Sequence, residues 1–327
     1  MQAWLPGGGM PNAFSGPCMT LCNDDSFAGL APGSNPYGYQ PGAGPARRSV
    51  PLSVAIITKD EAAHIQACLA SVAFARDVVV VDAKSDDGTA ILARQAGARV
   101  FVREWPGFTL QRNFSLKQCR YDWVLSVDAD ERVSLDLAVA LAAALAQGPQ
   151  GQAYRIPELN CYFGRWLRHG GIYPGHHVSF FDRRRLSYGS KSGDVHEDVS
   201  VKQSGLLDGH MLHLAYPSFQ LALQKLNRYT DLEARGRYGR GDRACALDLL
   251  RRPMGRFINN FVLKQGFRDG IPGFLYCCLT ALYAFSFTVK IWELQQAAAR
   301  QAAPAPSKAR QRRSNSAAPA NSSVPSL

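Results

Sequence analysis

The sequence lacks three features that would each point to a particular class of protein. Its eight cysteines match neither a zinc-ligand set nor a disulfide framework, so we expect reduced thiols. The first residues lack the basic start and apolar core of a secretory signal peptide. No glycine-rich loop follows the apolar run at 53–58, which excludes the dinucleotide fingerprint and the P-loop. A cytoplasmic protein is expected.

The end of the chain has no acidic residues. The formal net charge is +11, yet residues 51–150 hold 10 bases and 12 acids, whereas the last 31 residues hold five bases and no acid. A nucleic-acid binder spreads positive charge over its reading surface, so we expect no nucleic-acid partner. A basic excess downstream of the first folded segment favours a phosphate-rich ligand or an anionic membrane.

Composition divides the chain into four segments. Residues 1–50 are rich in Gly, Pro, Ser and Asn, which predicts a disordered leader. Residues 297–327 have the Ala/Pro/Ser/Arg composition of a disordered basic tail. Between them we expect an α/β domain over residues 51–215 and a helical region over residues 216–296.

Four short β-branched runs predict buried strands of a parallel sheet. They begin 22–24 residues apart, which is the spacing of strand–helix–strand units. The runs are Ser53–Thr58, Asp77–Asp82, Arg99–Arg103 and Trp123–Asp128. A three-layer, Rossmann-like α/β nucleotide-binding domain follows from this order.

The intervals between these strands predict helices. The first interval has apolar residues at i, i+3, i+4 and i+7, which gives one buried face. In the second interval, Thr89 is predicted to cap a helix whose core face includes Ile91 and Leu92. A further Ala/Leu-rich helix is predicted over residues 134–147. The apolar face of the first helix consists of Ile65, Cys68, Leu69 and Val72.

Carboxylates follow the predicted strands at the edge where open parallel sheets bind ligands. Asp82 ends the second strand, while Asp128 and Asp130 alternate around a small residue after the fourth. Such a set repels itself unless a cation binds or one member is protonated, and hard oxygen ligands suit Mg²⁺ or Mn²⁺. The alternative is that these acids are solvated turn or helix-capping residues.

Several motifs together resemble glycosyltransferase family 2, and within it the bacterial group that adds glucose to the heptose of the lipopolysaccharide core through a β-1,4 linkage. The resemblance covers nearly all of residues 52–292. It rests on SVAIITKDEAAHIQACLASV, VVVVDAKSDDGT, WPGFTLQRN, DWVLSVDADERVS, YRIPELNCYFGRWLRHGGIYP, GDVHEDVSV and GHMLHLAYPS. It implies a GT-A fold with a C-terminal helical, membrane-proximal extension.

The resemblance also implies which residues bind the nucleotide-sugar. Thr58 and Glu61 would line the nucleotide pocket, and Asp82 would meet the uracil or the ribose. Gln111 and Arg112 would lie near the donor, with Arg112 a candidate for the diphosphate.

The metal and the catalytic base are implied in the same way. Asp128 and Asp130 would be the D-x-D motif that holds the sugar-nucleotide through Mg²⁺ or Mn²⁺. Glu197 is the candidate base; the alternative is that it belongs to a surface loop. His213 matches a family position and is a further candidate metal ligand, unless it fills a packing gap.

The activity implied is inverting, metal-dependent transfer of a hexose, glucose from UDP-glucose, onto a heptose of the lipopolysaccharide core. Two alternatives stay open. One is a transferase for another lipid-linked or capsular glycan. The other is a catalytically lapsed GT-A protein attached to a membrane.

Four positions depart from the family pattern. Asp60 stands where the first motif usually has Asn, and Ala83-Lys84 interrupt the usual Asp-Ser-Gly-Ser. Ser179 stands where the family tends to have an Arg. If that Arg binds phosphate, either one of the bases over residues 183–185 must replace it or the affinity for the ligand falls. These departures bear on the donor rather than on the metal.

Residues 270–289 form an uncharged run of about 20 residues flanked by bases. A buried helix, an in-plane element on the membrane surface and a membrane span are all compatible with it. The basic flanks favour an anionic surface. We expect a peripheral protein on the inner face of the bacterial inner membrane, with a UDP-sugar donor and a lipid-linked oligosaccharide acceptor as partners.

Overall fold

The computed structural model describes residues 50–190, 197–199, 201 and 203–302, the side chains of 190, 197, 198 and 302 excepted. The predicted leader up to residue 49 and the predicted tail from residue 303 lie outside the described residues. Twelve strands are described: β1 (Val50–Thr58), β2 (Ala75–Asp82), β3 (Arg99–Val102), β4 (Trp123–Asp128), β5 (Glu131–Val133), β6 (Ala153–Tyr162), β7 (Arg165–Leu167), β8 (Gly175–Asp182), β9 (Tyr188–Ser190), β10 (Glu197–Val199), β11 (Gly205–Leu206) and β12 (Met211–Tyr216).

Seven α-helices are described in the same part of the chain. They are α1 (Ala62–Ser71), α2 (Thr89–Gln95), α3 (Phe108–Gln118), α4 (Leu135–Gln147), α5 (Phe219–Gly239), α6 (Asp248–Ile258) and α7 (Gly270–Ala302). A π-helical turn, Asn259–Leu263, and a 3₁₀ turn, Gly266–Asp269, connect α6 to α7.

The main sheet has the order β3-β2-β1-β4-β8-β6-β12-β5, and β7 and β11 pair with β6. Strands β1 to β4 pair in parallel, as predicted, whereas β8 runs antiparallel to β4 and to β6. Buried aliphatic residues of β1, α1 and α4 form the larger core on one face, and α3 covers the other. The prediction of a layered α/β domain is confirmed.

The predicted strands lie where the sequence placed them, with small shifts at their ends. The strand at Trp123–Asp128 has the predicted bounds, and the first begins three residues early, at Val50. Val50 is buried and its N–H donates to the carbonyl of Phe74 at 3.1 Å, so the strand continues into the segment predicted as leader.

Helix α2 corrects one local prediction. Its N-cap is Gly88 and not Thr89, because the Asp87 carboxylate accepts hydrogen bonds from the Thr89 backbone N–H and hydroxyl. Thr89 and Ala93 then face the core, four residues apart. Ile91, predicted in the core, is 59% exposed. The apolar face predicted for α1 is buried, and Ser134 caps α4 by accepting the Leu137 N–H at 3.2 Å.

The C-terminal helices form a unit fixed to the sheet. The Asp269 carboxylate accepts the backbone N–H groups of Arg168 and His169 at 2.9 and 2.7 Å, and it contacts the His169 ring at 2.8 Å. Helix α7 continues over residues 297–302, which were predicted as tail, because Ala, Gln and Arg are good helix formers. The stretch Gly266–Gln301 is long and apolar enough to cross a bilayer, by length and composition only.

Candidate active site

A cavity of about 610 Å³ opens at the carboxyl ends of the parallel strands. This is the edge at which open α/β sheets bind ligands. The ends of strands β1, β2 and β4, the β3–α3 connection and helix α5 all contribute to its lining. Its lining is Ile57, Thr58, Lys59, Glu61, Ala83, Lys84, Asp86, Glu104, Trp105, Phe108, Asp128, Ala129, Asp130, Lys225, Arg228 and Tyr229.

Asp128 and Asp130 both line this cavity but have different partners. Asp128 accepts two hydrogen bonds from Arg112, at 2.8 and 3.1 Å. Asp130 lies 3.5 Å from the His213 ring and 3.7 Å from the Lys225 ammonium. The structure therefore brings the D-x-D acids and His213 together at one end of the cavity.

His213 reaches Asp130 because strand β12 runs antiparallel to β5. In that pairing His213 lies opposite Glu131, which follows Asp130 directly. On its other side β12 pairs with β6, which carries Glu158, and the His213 Nδ1 lies 3.1 Å from the Glu158 carboxylate.

Glu131, Glu158 and His213 could hold a metal ion. One ligand atom of each lies within 4.8 Å of the others. Two carboxylates and an imidazole suit Mn²⁺, and carboxylates alone suit Mg²⁺. Glu131 and Glu158 were not predicted as candidates, since only the pairing of β5, β6 and β12 brings them next to His213.

Several carboxylates lie close together in the site, and their proximity shifts the pKa values of its residues. Burial, together with the Asp128 carboxylate, raises the pKa of Glu131 to about 8. Burial and the Asp130 carboxylate raise the pKa of Glu61 to about 7. Burial alone would lower the pKa of His213, but Asp130 and Glu158 raise it well above its ordinary value. A bound cation would relieve the same repulsion.

Asp82 and Thr58 lie at neighbouring strand ends but differ in access. Asp82 is buried, does not line the cavity, and accepts the Ser85 N–H and hydroxyl at 2.9 and 2.5 Å. It thereby supports the turn at Ala83 and Lys84, which does line the cavity. The Thr58 hydroxyl is buried at the cavity floor and has no hydrogen-bond partner among the described residues. Such a group suits a polar ligand.

Gln111 and Arg112 lie on α3 outside the cavity lining. Arg112 contacts Asp128 and donates to the Ser126 hydroxyl at 3.0 Å, so it orients an acid of the site. Gln111 is fully buried, and its amide lacks a partner in the described part of the chain.

Glu197 begins strand β10, where its backbone pairs with Ser190 of β9. Its side chain lies outside the described residues, so its role as the base stays a prediction. The bases at 183–185 follow β8, whose last residue, Asp182, pairs with Trp123 at the start of β4. They lie at the opposite end of β4 from the cavity and do not replace the Arg missing at Ser179.

Two aromatic residues of the site were not predicted. Trp105 and Phe108 line the cavity and pack edge to face, with ring centroids 4.7 Å apart. They also line a second cavity of about 470 Å³, which shares Arg228 with the first and adds Arg235. The Trp-Pro-Gly-Phe run was a signal for them, because an aromatic pair in a loop beyond a strand end suits sugar binding.

Residues 53–202 match the family described as Glycosyl transferase family 2. The chain carries a family 2 glycosyltransferase domain. The predicted enzyme class is confirmed, and the mixed sheet with its helical layers is the GT-A-like fold that the resemblance implied.

Relatives of similar length agree with this domain. The chain is 28% identical over 251 residues to the lipopolysaccharide core biosynthesis glycosyltransferase LpsC of Rhizobium meliloti, covering 75% of this chain and 93% of that one. It is 28% identical over 254 residues to an uncharacterized glycosyltransferase of Rickettsia typhi, covering 74% and 87%.

A solved structure is also similar. It is the glucosyl-3-phosphoglycerate synthase of Mycobacterium tuberculosis, in complex with Mn²⁺, UDP and glucosyl-3-phosphoglycerate. The identity is 24% and the TM-score 0.30, and the match covers 35% of this chain and 45% of that one. The chain thus spans less than half of that protein.

Proposed function

We propose that this glycosyltransferase is an inverting, metal-dependent enzyme that transfers glucose from UDP-glucose to a heptose of the lipopolysaccharide core. The observation that carries the proposal is the convergence of Glu61, Asp128 and Asp130, from two strand ends, on one cavity. Lys225 and Arg228 line the same cavity, and Lys225 lies 3.7 Å from Asp130. Acids for a cation and bases for a diphosphate are what a sugar-nucleotide requires.

The residues present fit a divalent cation. Asp130 and His213 are in contact, and Glu131 and Glu158 lie beside them. We assign Asp128 and Asp130, with His213, as the residues that would hold Mg²⁺ or Mn²⁺. The cation would neutralise charge on the leaving diphosphate.

The donor would lie along the strand ends. Thr58 and Glu61 would contact the nucleoside, with the unpartnered Thr58 hydroxyl available for a hydrogen bond. Asp82 would act on the donor indirectly, through the turn that it stabilises with Ser85. Lys225 and Arg228, which line the cavity, are better placed for the diphosphate than Arg112, which lies outside the lining.

Inversion requires a single in-line displacement. The acceptor hydroxyl oxygen forms a bond to the anomeric carbon, and the bond from that carbon to the diphosphate oxygen breaks with its electron pair. We assign Glu197 as the base that takes the hydroxyl proton, which would contribute roughly 10²–10⁴-fold to the rate. The second cavity, with Trp105 and Phe108 at its junction with the first, would hold the acceptor.

The name of the Rhizobium relative supports an acceptor of the lipopolysaccharide core. Such an acceptor is lipid-anchored, which would place the enzyme on the inner face of the inner membrane. The second candidate is transfer to another lipid-linked or capsular glycan, which would use the same site. A catalytically lapsed protein is disfavoured, because Asp128 and Asp130 both line the cavity and His213 contacts Asp130.

A thermal-shift panel tests the proposal. UDP-, GDP- and CMP-sugars are each added with Mn²⁺, Mg²⁺ or EDTA. Because a ligand that binds only the folded state raises the melting temperature, we expect stabilisation by UDP-glucose with Mn²⁺ or Mg²⁺ and none with EDTA. Stabilisation by a GDP- or CMP-sugar instead, or equally in EDTA, would contradict the donor or the metal.

A further inference from the structure

Helix α6 and the turns after it carry an exposed apolar face, which we call the α6 face. Leu250 is 65% exposed and Met254 60% exposed, although both are large and apolar. On a soluble helix such side chains are usually turned inward. The members of the α6 face are Leu247, Leu250, Met254, Ile258, Val262, Leu263, Phe267, Ile271 and Phe274.

The spacing of these residues puts them side by side. From Leu247 to Val262 they recur every three or four residues, which is one side of a helix. The half-buried Phe257 and Phe261 pack on each other and on Phe274 of the face, with ring centroids 5.2 to 6.0 Å apart. The aromatic cluster holds α6 against α7, so the exposed side chains form a fixed surface.

The charges around the α6 face are of one sign. Between Leu247 and Trp292 the sequence has six bases and two acids, Asp248 and Asp269. Both acids are buried: Asp248 pairs with Arg251 and Arg252, and Asp269 with His169. Arg256, Lys264 and Arg268 are exposed and have no carboxylate partner among the described residues; bases at 251 and 252 adjoin them.

We infer that the α6 face docks on the surface of an anionic lipid bilayer, with its apolar side chains below the headgroups and its bases on the lipid phosphates. An amphipathic helix with large apolar residues and basic flanks binds in the interfacial plane. The inference deepens the peripheral location in the proposed function and rests on it, while the binding itself can be measured separately.

The packing of α7 argues against a membrane span. Lys290 of α7 lies 2.7 Å from the Asp231 carboxylate of α5, and Tyr283 donates a hydrogen bond to Glu233 of the same helix. A spanning α7 would carry α5 into the hydrocarbon, together with Lys225 and Arg228 of the cavity. An in-plane arrangement keeps these charges in water.

A second copy of the chain is a weaker occupant of the α6 face. Symmetric pairing would bring the same bases of two copies together without exposed acids between them. A bilayer containing phosphatidylglycerol supplies the opposite charge. The contacts of Asp269 to the backbone just after β7 would then hold the cavity at a fixed height above the lipid, where an anchored acceptor could reach it.

Vesicle binding by the full chain tests the inference, with phosphatidylcholine vesicles that contain or lack phosphatidylglycerol. The first variant is L250Q/M254Q, and its matched control is I91Q/V139Q. Ile91 and Val139 are 59% and 58% exposed on α2 and α4, so the control removes equally exposed apolar side chains away from the α6 face. Every variant keeps the same basic tail.

We expect L250Q/M254Q to weaken binding to the anionic vesicles roughly tenfold or more, because each apolar side chain would leave the interface. The second variant, K264Q/R268Q, removes two exposed bases beside Leu263 and Phe267 and should weaken it about 25-fold, about fivefold for each base. The control should bind like the unmodified chain. Neutral vesicles should bind far less, and added salt should lower anionic binding.

Unchanged vesicle binding by L250Q/M254Q, an equal loss in I91Q/V139Q, or equal binding to neutral vesicles would overturn the inference. Sedimentation velocity tests whether a second copy of the chain covers the face. If the unmodified chain is a dimer, and L250Q/M254Q is a monomer that still binds vesicles, the face belongs to the dimer interface. Stabilisation by UDP with Mn²⁺ is measured on the same samples, so failure of the proposed function is recorded separately from failure of docking.

Discussion

The Nε2 atom of His213 lies 3.5 Å from the carboxylate of Asp130. The two residues are distant in sequence and come together because β12 closes against β5, the short strand that follows the D-x-D turn. The contact joins the second half of the domain to the end of β4. It also means that a change at either residue alters the same candidate metal site.

The first prediction concerns Asp130. Asp130→Asn should lower glucose transfer by on the order of a thousandfold, because a ligand of the cation at the leaving diphosphate is lost. Circular dichroism should show that the variant is folded. Activity is measured as UDP release from UDP-glucose.

The matched control for Asp130 is Asp86→Asn. Asp86 lines the same cavity, but its side chain is 97% exposed, and in the described part of the chain it forms an ion pair with Lys59 at 3.7 Å. Its removal should leave turnover within about twofold, since exposed ion pairs contribute little. Near-normal turnover in Asp130→Asn, or an equal loss in Asp86→Asn, would reject the metal assignment.

The second prediction concerns the imidazole. His213→Gln should raise the Mn²⁺ concentration needed for half-maximal activity by roughly 10–100-fold, as the loss of a ligand or of its orienting partner does. The control is His177→Gln, because His177 also contacts Glu158, at 3.3 Å, from an exposed position. An unchanged Mn²⁺ requirement in His213→Gln would restrict the site to carboxylates.

The third prediction concerns the base. Glu197→Gln should reduce transfer by roughly 10²–10⁴-fold, because no carboxylate is then present to take the proton from the hydroxyl of the acceptor sugar. Binding of UDP-glucose should remain within a few-fold, since the amide preserves the size of the side chain. Asp198→Asn, one residue along the strand, should transfer normally. A collapse of donor affinity in Glu197→Gln would assign Glu197 to the donor site instead.

The parallel half of the sheet could be predicted because each of its strands is recognisable from its own short stretch of sequence. Strands β1, β2 and β4 are mostly buried runs, whereas the predicted burial of β3 is wrong, because β3 lies at the edge of the sheet and Val102 is exposed. Asp128 ends β4 and Asp130 comes two residues later, so strand topology placed both acids at the cavity. Which side of α2 faces the core could not be predicted from its apolar residues alone. There the Asp87 carboxylate fixes the first turn and leaves Ile91 exposed.

Of the candidate metal ligands beyond the D-x-D, His213 was predicted from the family resemblance, whereas Glu158 required non-local information. Glu158 and His213 lie on β6 and β12, which pair with each other and bring them to Asp130 only in the folded sheet. Neither strand carries a pattern that fixes its neighbour. The salt bridge of Arg112 to Asp128 could not be predicted for a similar reason, because it forms between α3 and β4 and cannot be seen in either segment.

The fourth prediction concerns stability and pH. Burial alone would raise the pKa of Asp77, but hydrogen bonds from Arg99 and Ser53 and from the Arg120 N–H outweigh it and lower the pKa. Asp77→Asn should therefore lower the free energy of unfolding at neutral pH by about 2 kcal/mol.

The difference should shrink in acid. A carboxyl whose pKa is lower in the folded state stabilises the fold above its ordinary pKa of 3.8, and this stabilisation is lost as the pH falls through the folded value. Urea unfolding of Asp77→Asn and of the unmodified chain at neutral and acidic pH measures it. A difference that stays constant with pH would show that packing, not charge, accounts for the loss.

The account depends on a divalent cation and a nucleoside diphosphate binding together at the end of β4. Isothermal titration of UDP into the full chain, with Mn²⁺ or with EDTA, measures this directly. The account predicts binding with Mn²⁺ that disappears in EDTA and in Asp130→Asn but persists in Asp86→Asn. UDP binding that is equally tight in EDTA, or that survives Asp130→Asn unchanged, would contradict it.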